Sequence, residues 1–244
     1  MKNLTLRRVL ACICILTLPV PAFGQTHWDI QNASYYNDRG HDKLLKGDLN
    51  GAIADFNQAI KLYAKNVPAY NERGIAKESK SDLDGAIADF DHAIELNPKN
   101  PAPYGNRGDV KRKKGDLDGA MADCNRAIEL NPRSSPCYDN RGSAELLKGD
   151  LNGALADYDQ AIKLNPKNAL AYNNRGIAKE REGDLDGALA DYNQAIQLDP
   201  KYAAAYKDRG NAKRKKGDRD GANADFNQAV KLGLKSGDVA ESPD

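Results

Sequence analysis

Leu83, Ala86, Ile87, Phe90, Ala93 and Ile94 recur at intervals of three and four residues, the apolar stripe of an amphipathic helix. Polar residues fill the places between them. The same pattern returns further along, where Gly115-Asp116 provides a helix stop followed by an N-cap whose carboxylate can accept the orphan amides of the next helix. Asn131-Pro132 ends that second helix, because proline cannot continue it. Each stretch therefore predicts a hairpin of two helices.

Aligning the chain on itself at an offset of 34 residues places Tyr36, Tyr70, Tyr104, Tyr138, Tyr172 and Tyr206 in one column without a gap. Six units follow, over residues 33–236, starting near 33, 67, 101, 135, 169 and 203. Their shared text is Tyr-x-x-Arg-Gly and then Gly-Asp-Leu-x-Gly-Ala-x-Ala-Asp-Phe-x-x-Ala-Ile-x-Leu-Asn-Pro. A second period lies on the first: units one and four share Leu-Leu-Lys-Gly-Asp-Leu-Asn, two and five Gly-Ile-Ala-Lys-Glu, three and six Lys-Arg-Lys-Lys-Gly-Asp. The array reads as a duplicated block of three.

This text resembles the tetratricopeptide repeat family, whose signature is an aromatic, a Gly four residues on, an Ala-x3-Phe and a closing Pro. In the second unit these are Tyr70, Gly74, Ala86, Phe90, Ala93 and Pro98. The resemblance implies an all-α fold, a right-handed α-solenoid of six 34-residue helix-turn-helix repeats. The departures are Arg where the family usually has Leu, Lys77 and its counterparts where it has a second aromatic, Cys124 in place of Phe, and Ala64 in place of the first Pro. A Gly inside a helix costs about 1 kcal/mol relative to Ala, so the Gly40 column needs a reason, and close approach to the Ala52 column is the expected one. Asp42 at one end and Arg219 and Asn223 at the other stand where neighbouring units would pack, so both ends are expected to be polar caps with no repeat missing.

Residues 1–24 read as a secretory signal peptide: Lys2, Arg7 and Arg8, an apolar run from Val9 to Val20, then small residues at Ala22 and Gly24. Cleavage after Ala22 and retention as an anchor are the alternatives, and the run is shorter than the roughly 20 apolar residues a span needs. A lead over 25–32 containing Trp28 and a polar tail over 237–244 complete the domain plan. The export reading makes the protein periplasmic or secreted. Without the signal, 33 Lys and Arg face 35 Asp and Glu, a net charge of −2, so no global basic field draws nucleic acid or an anionic membrane.

Two columns are invariant among the six units: Arg39, Arg73, Arg107, Arg141, Arg175 and Arg209, and, 16 residues on, Asp55, Asp89, Asp123, Asp157, Asp191 and Asp225. They can form one structural ion pair per hairpin; the competing reading is an arginine ladder for an anionic ligand. Structural pairing is favoured, since a partly buried guanidinium needs a carboxylate. Asp82-x-Asp84-Gly85 and Glu182-x-Asp184-x-Asp186-Gly187 look like fragments of calcium loops but lack the ligand at the twelfth place, so they read as helix caps and no metal is expected. His27, His41 and His92 form no ligand-spaced pair, and no nucleophile motif occurs, so neither catalytic residues nor a cofactor are expected. The basic runs from Lys111 and Lys213 are read as solvated helix ends. Cys124 and Cys137 lie at nearly equal height on adjacent helices, and a disulfide between them is expected in an oxidising compartment.

In the family, the first helices of successive hairpins line a concave face that grips an extended peptide. The matching positions follow each tyrosine: Asn37 and Asp38, Asn71 and Glu72, Gly105 and Asn106, Asp139 and Asn140, Asn173 and Asn174, Lys207 and Asp208, with Arg112 and Arg214 two turns further along. An amide both donates and accepts, so a row of Asn pointing to solvent can satisfy a peptide backbone of any sequence. The resulting expectation is a non-catalytic protein- or peptide-binding scaffold, monomeric on its own, with a protein or peptide partner and no nucleic acid. The alternative is a structural oligomeriser or assembly subunit that uses its convex face or ends.

Overall fold

In the computed structural model, residues 26–239 are described; the signal-peptide reading of residues 1–24 lies outside them. The first three hairpins are α1 (His27–Leu45) with α2 (Leu49–Leu62), α3 (Val67–Ser79) with α4 (Leu83–Leu96), and α5 (Pro101–Lys113) with α6 (Leu117–Leu130). The last three are α7 (Ser135–Lys148) with α8 (Leu151–Leu164), α9 (Ala169–Glu182) with α10 (Leu185–Leu198), and α11 (Ala203–Lys215) with α12 (Arg219–Lys231). A short α13 (Ser236–Val239) packs on α12. Each helix packs on the next in sequence, and no strand occurs among the described residues, so the fold is an all-α solenoid.

Local chemistry sets the helix ends. Asp48, Asp82, Asp116, Asp150, Asp184 and Asp218 each cap a second helix by accepting a hydrogen bond from the glycine amide three residues on. Before five of these caps a glycine holds the left-handed conformation, and in unit two Ser81 holds it instead, at φ 64°. α1 starts six residues ahead of the first repeat, because Thr26 and Asp29 form a reciprocal capping box there. Trp28 in that extension is exposed.

The core is a thin string of small layers. Ala52, Ala59, Ala69 and Ala76 enclose Phe56 in the first, and Ala154, Leu146 and Ala178 enclose Tyr158 further on. The Gly40 column is packed tightly, against the expected Ala52 column at Gly108 and Gly142, where the Ala120 and Ala154 carbonyls stand 3.1 and 3.2 Å from an added Cβ, but more closely still against a ring in the other units. A Cβ on Gly40, Gly74, Gly176 or Gly210 would come within 2.6–2.7 Å of the ring of Phe56, Phe90, Tyr192 or Phe226, so the aromatic column, not Ala52, excludes a side chain there. Cys124 replaces the ring in unit three, and a Cβ on Gly108 would stand 3.1 Å from the Ala120 carbonyl and 3.2 Å from Cys124 Sγ.

Cys124 and Cys137 are free and buried, in place of the expected disulfide. Their side chains turn toward α5: Cys124 Sγ abuts Gly108, and Cys137 Sγ abuts Gly105 and accepts a hydrogen bond from the Ser134 hydroxyl at 3.1 Å. Equal height on adjacent helices thus leaves the two sulfurs unbonded, each packed against α5. Burial raises both thiols, Cys124 to about 12.

Candidate functional site

Successive odd-numbered helices touch one another at all five junctions, and even-numbered ones do not to a comparable extent, so the first helices converge on the inner face. The residues after each tyrosine lie there, and they reach sideways into one another. Asn106 donates to Asn71 at 2.9 Å, Asn174 to the Asp139 carboxylate at 3.2 and 3.4 Å, and Asn173 to Asp208 at 2.9 Å. Each pair joins the first residue after one tyrosine to the second residue after the next. The row is thus a set of lateral rungs between hairpins, which corrects the expectation that these amides point to solvent. Asn173 and Asp139 are only 2 % and 3 % exposed.

The remaining two junctions depart from the rung pattern. At the first, Glu72 pairs with His41 at 3.1 Å, leaving the buried Asn37 Oδ1 without a partner. At the junction of units three and four, the seam between the two duplicated blocks, the first place is Gly105 and no rung forms. The half-buried Asn140 has no side-chain hydrogen bond there, and α5 and α7 run closer than other neighbouring odd helices. Between them lies a cavity of about 230 Å³, lined by Pro101, Gly105 and Asn106 of α5 and by Pro136, Cys137 and Asn140 of α7.

Burial dominates the electrostatics of this face. It raises the Asp139 carboxyl to about 6, against the opposing hydrogen bond from Asn174, and raises that of Asp208 against the bond from Asn173. Arg112 donates to Asp109 at 2.6 Å while its buried Nε has no acceptor, and Arg214 lies over the Phe226 ring at 5.6 Å.

The arginine column sits beside the rungs. In every hairpin the guanidinium donates twice to its aspartate, at 2.5–2.9 Å, and stands 4.9–5.7 Å from the ring of the tyrosine three residues earlier. From unit two onward its remaining Nη1 reaches back to the preceding second helix, on Asn57, Asp91, Asn125, Asp159 or Asn193. With its donors engaged inside the array, this column clips each hairpin to its neighbour and has little left for an anionic ligand. A lysine four residues after the arginine, Lys43, Lys77, Lys111, Lys179 or Lys213, adds a second cation at 2.8 Å to the same carboxylate. Sequence reasoning noticed that lysine only as a missing aromatic; its recurrence in five units was the signal.

Unit four breaks that rule, with Glu145 in the lysine column. Burial first, and then the neighbouring Asp157, raise the Glu145 carboxyl to about 7. Arg141, bonded to Asp157 at 2.6 and 2.7 Å, is the one cation on that buried carboxylate.

Six hairpins in register, with a polar inner face and a regular arginine clip, define a helical-hairpin repeat scaffold. Tetratricopeptide-repeat family models match residues 37–101, 102–134, 142–183 and 169–202, so the chain carries tetratricopeptide repeats, the fold of a protein-interaction scaffold. No curated protein matches the chain. Among solved structures, it is similar to the APC/C hetero-tetramer Cut9-Hcn1 at 18 % identity and a TM-score of 0.80, over 87 % of this chain and 42 % of that one. The chain thus spans about two fifths of that relative. It is similar to MamA at 28 % identity and a TM-score of 0.56, over 65 % of this chain and 93 % of that one. YrrB, described as a TPR protein with an unusual peptide-binding site, matches at 23 % identity and a TM-score of 0.54, over 73 % and 92 % of the two chains. Among the described residues no helix is long and apolar enough to cross a membrane.

Proposed function

We propose that the chain is a non-catalytic scaffold whose inner face holds an extended segment of another protein, and that it does so after export from the cytoplasm. One observation carries the binding reading. The buried polar side-chain atoms without a partner among the described residues are on Asn37, Arg112, Glu145 and Asn173, and all four belong to first helices. Of these, Glu145 faces Asp157 inside its own hairpin, whereas the other three lie on or beneath the inner face; a buried polar atom left unpaired costs about 1–3 kcal/mol, so those three are best understood as groups that a ligand's donors and acceptors can satisfy. An extended peptide backbone supplies both at a regular spacing. The basic, apolar and small-residue sequence of residues 1–24 supports export.

The test captures partners from a native extract with the full chain and compares two variants. Asn140→Arg places a bulky charge on the inner face, whereas Ala156→Arg places it on an exposed position of α8. Loss of the captured partner with the first and retention with the second is expected. The reverse pattern would move the binding surface to the outer helices, as an oligomeriser or assembly subunit requires.

A further inference from the structure

The seam between units three and four has no lateral rung and, unlike the first junction, where Glu72 turns to His41, nothing that takes its place. In regular rungs an Asn or Asp following one tyrosine meets an Asn or Asp of the next unit, as Asn71 meets Asn106 and Asp139 meets Asn174. At the seam Gly105 supplies no side chain, Asn140 is left without its rung, and the cavity of about 230 Å³ occupies the gap. We propose that this cavity is a side-chain pocket selective for a carboxamide, the asparagine or glutamine of an extended partner peptide, which completes the missing rung on Asn140. This rests on the inner-face reading and adds to it a place and a chemical class.

Four observations converge. The repeat text is broken at Gly105, Cys124, Ser134 and Cys137, spread over 33 residues of sequence, yet all four fall at this seam, and Gly105, Ser134 and Cys137 line the cavity itself. The seam has no counterpart elsewhere, because it alone joins one duplicated block to the other. A mid-helix glycine is unfavourable by about 1 kcal/mol relative to Ala, so Gly105 forgoes both helix stability and a rung. Finally, no charged side chain lines the space: Ala102, Asn131 and Ser134 complete a wall that is otherwise proline, glycine, cysteine and amide.

The ligand chemistry follows from that wall. The volume lies below the roughly 300–1,000 Å³ of sites for drug-sized ligands, which leaves room for one side chain. A charged group would enter without a counter-ion and lose its hydration. A carboxamide, in contrast, both donates to and accepts from a facing carboxamide, and it reproduces the Asn71–Asn106 pair. The neighbouring Asp139, whose carboxyl burial raises to about 6, shows that a carboxylate at this depth is penalised even with an Asn partner.

The experiment uses the ¹⁵N-labelled full chain and five blocked tripeptides, acetyl-Gly-X-Gly-N-methylamide with X as Asn, Gln, Leu, Asp or Lys, so that the side chain carries the one primary carboxamide. With Asn and Gln, the side-chain amide resonances of Asn140 and Asn106 shift saturably, and Leu, Asp and Lys bind at least about fivefold more weakly. Gly105→Asn, which supplies the rung from within the chain, abolishes the response. That variant must displace Cys137 Sγ, which would stand 2.9 Å from the new Cβ, so Asn140→Ala removes the same interaction without crowding. With Asn140→Ala, the Asn106 resonances no longer respond. No saturable shift at Asn140 in the unsubstituted chain, equal binding of the Leu or charged peptides, or an unchanged response in either folded variant would overturn the proposal. Should these peptides fail while Asn140→Arg still releases the captured partner, the pocket is wrong and the inner-face reading stands.

Discussion

Hairpins four and five differ little in sequence, yet their buried carboxylates are held differently. Asp191 in hairpin five has two cations, Arg175 at 2.6 Å and Lys179 at 2.8 Å. Asp157 in hairpin four has Arg141 alone, with Glu145 where the lysine would be. The contrast extends to their junctions, since Asn174 joins hairpin five to four while nothing on Gly105 joins hairpin four to three. A repeat array is close to a sum of unit and neighbour terms, so relaxing one unit and one junction leaves the others intact and frees that place for another task.

The largest effect should separate the two arginines. Arg141→Ala strands Asp157, which is 6 % exposed, and is expected to destabilise by about 3–5 kcal/mol. Arg175→Ala leaves Lys179 on Asp191 and should cost about 1–2 kcal/mol. Denaturant titration of both variants makes the comparison, and equal losses would show that the second cation does nothing.

Giving hairpin four the missing lysine reverses the contrast. Glu145 is raised to about 7 in the folded chain, above its unfolded value, so the native state binds the proton more tightly. Stability contributed by that proton is present in acid and is lost as pH rises toward 7. Glu145→Lys should therefore stabilise by about 2 kcal/mol at pH 8 and by much less at pH 4.5. Melting at the two pH values checks this, and a gain independent of pH would remove Glu145 as its cause.

A smaller contrast concerns the glycine column. Gly74→Ala drives a methyl to 2.6 Å from the Phe90 ring and should cost about 1–3 kcal/mol. Gly108→Ala, which meets the Ala120 carbonyl at 3.1 Å and Cys124 Sγ at 3.2 Å but no ring, should cost less, about 1 kcal/mol. Unfolding of the two variants side by side would show whether the ring sets the limit.

What was legible in the sequence was local. The 34-residue period, the Asp caps such as Asp116 and the stops at Gly115 and Asn131 depend on a few neighbouring residues, and the helices begin and end there. The Arg141 and Asp157 columns were also readable as a pair, because two invariant charges on opposite arms of a hairpin have few other ways to be buried. The rungs were not readable. Whether Asn174 points to solvent or to Asp139 depends on how closely successive first helices converge, which no single unit encodes. The same holds for Cys124 and Cys137, whose heights follow from residue counting while their directions follow from the packing against α5.

Photo-crosslinking by position tests the central claim most directly. A photoreactive residue is placed in turn at Asn71, Asn106, Asn140 and Asn174 on the first helices and at the exposed Ala88, Ala122, Ala156 and Ala190 on the second. Each chain is then irradiated in the native extract. Adducts to a common partner from the first set, strongest at 140, and none from the second are predicted. Adducts confined to the second set would contradict the assignment of the inner face as the binding surface.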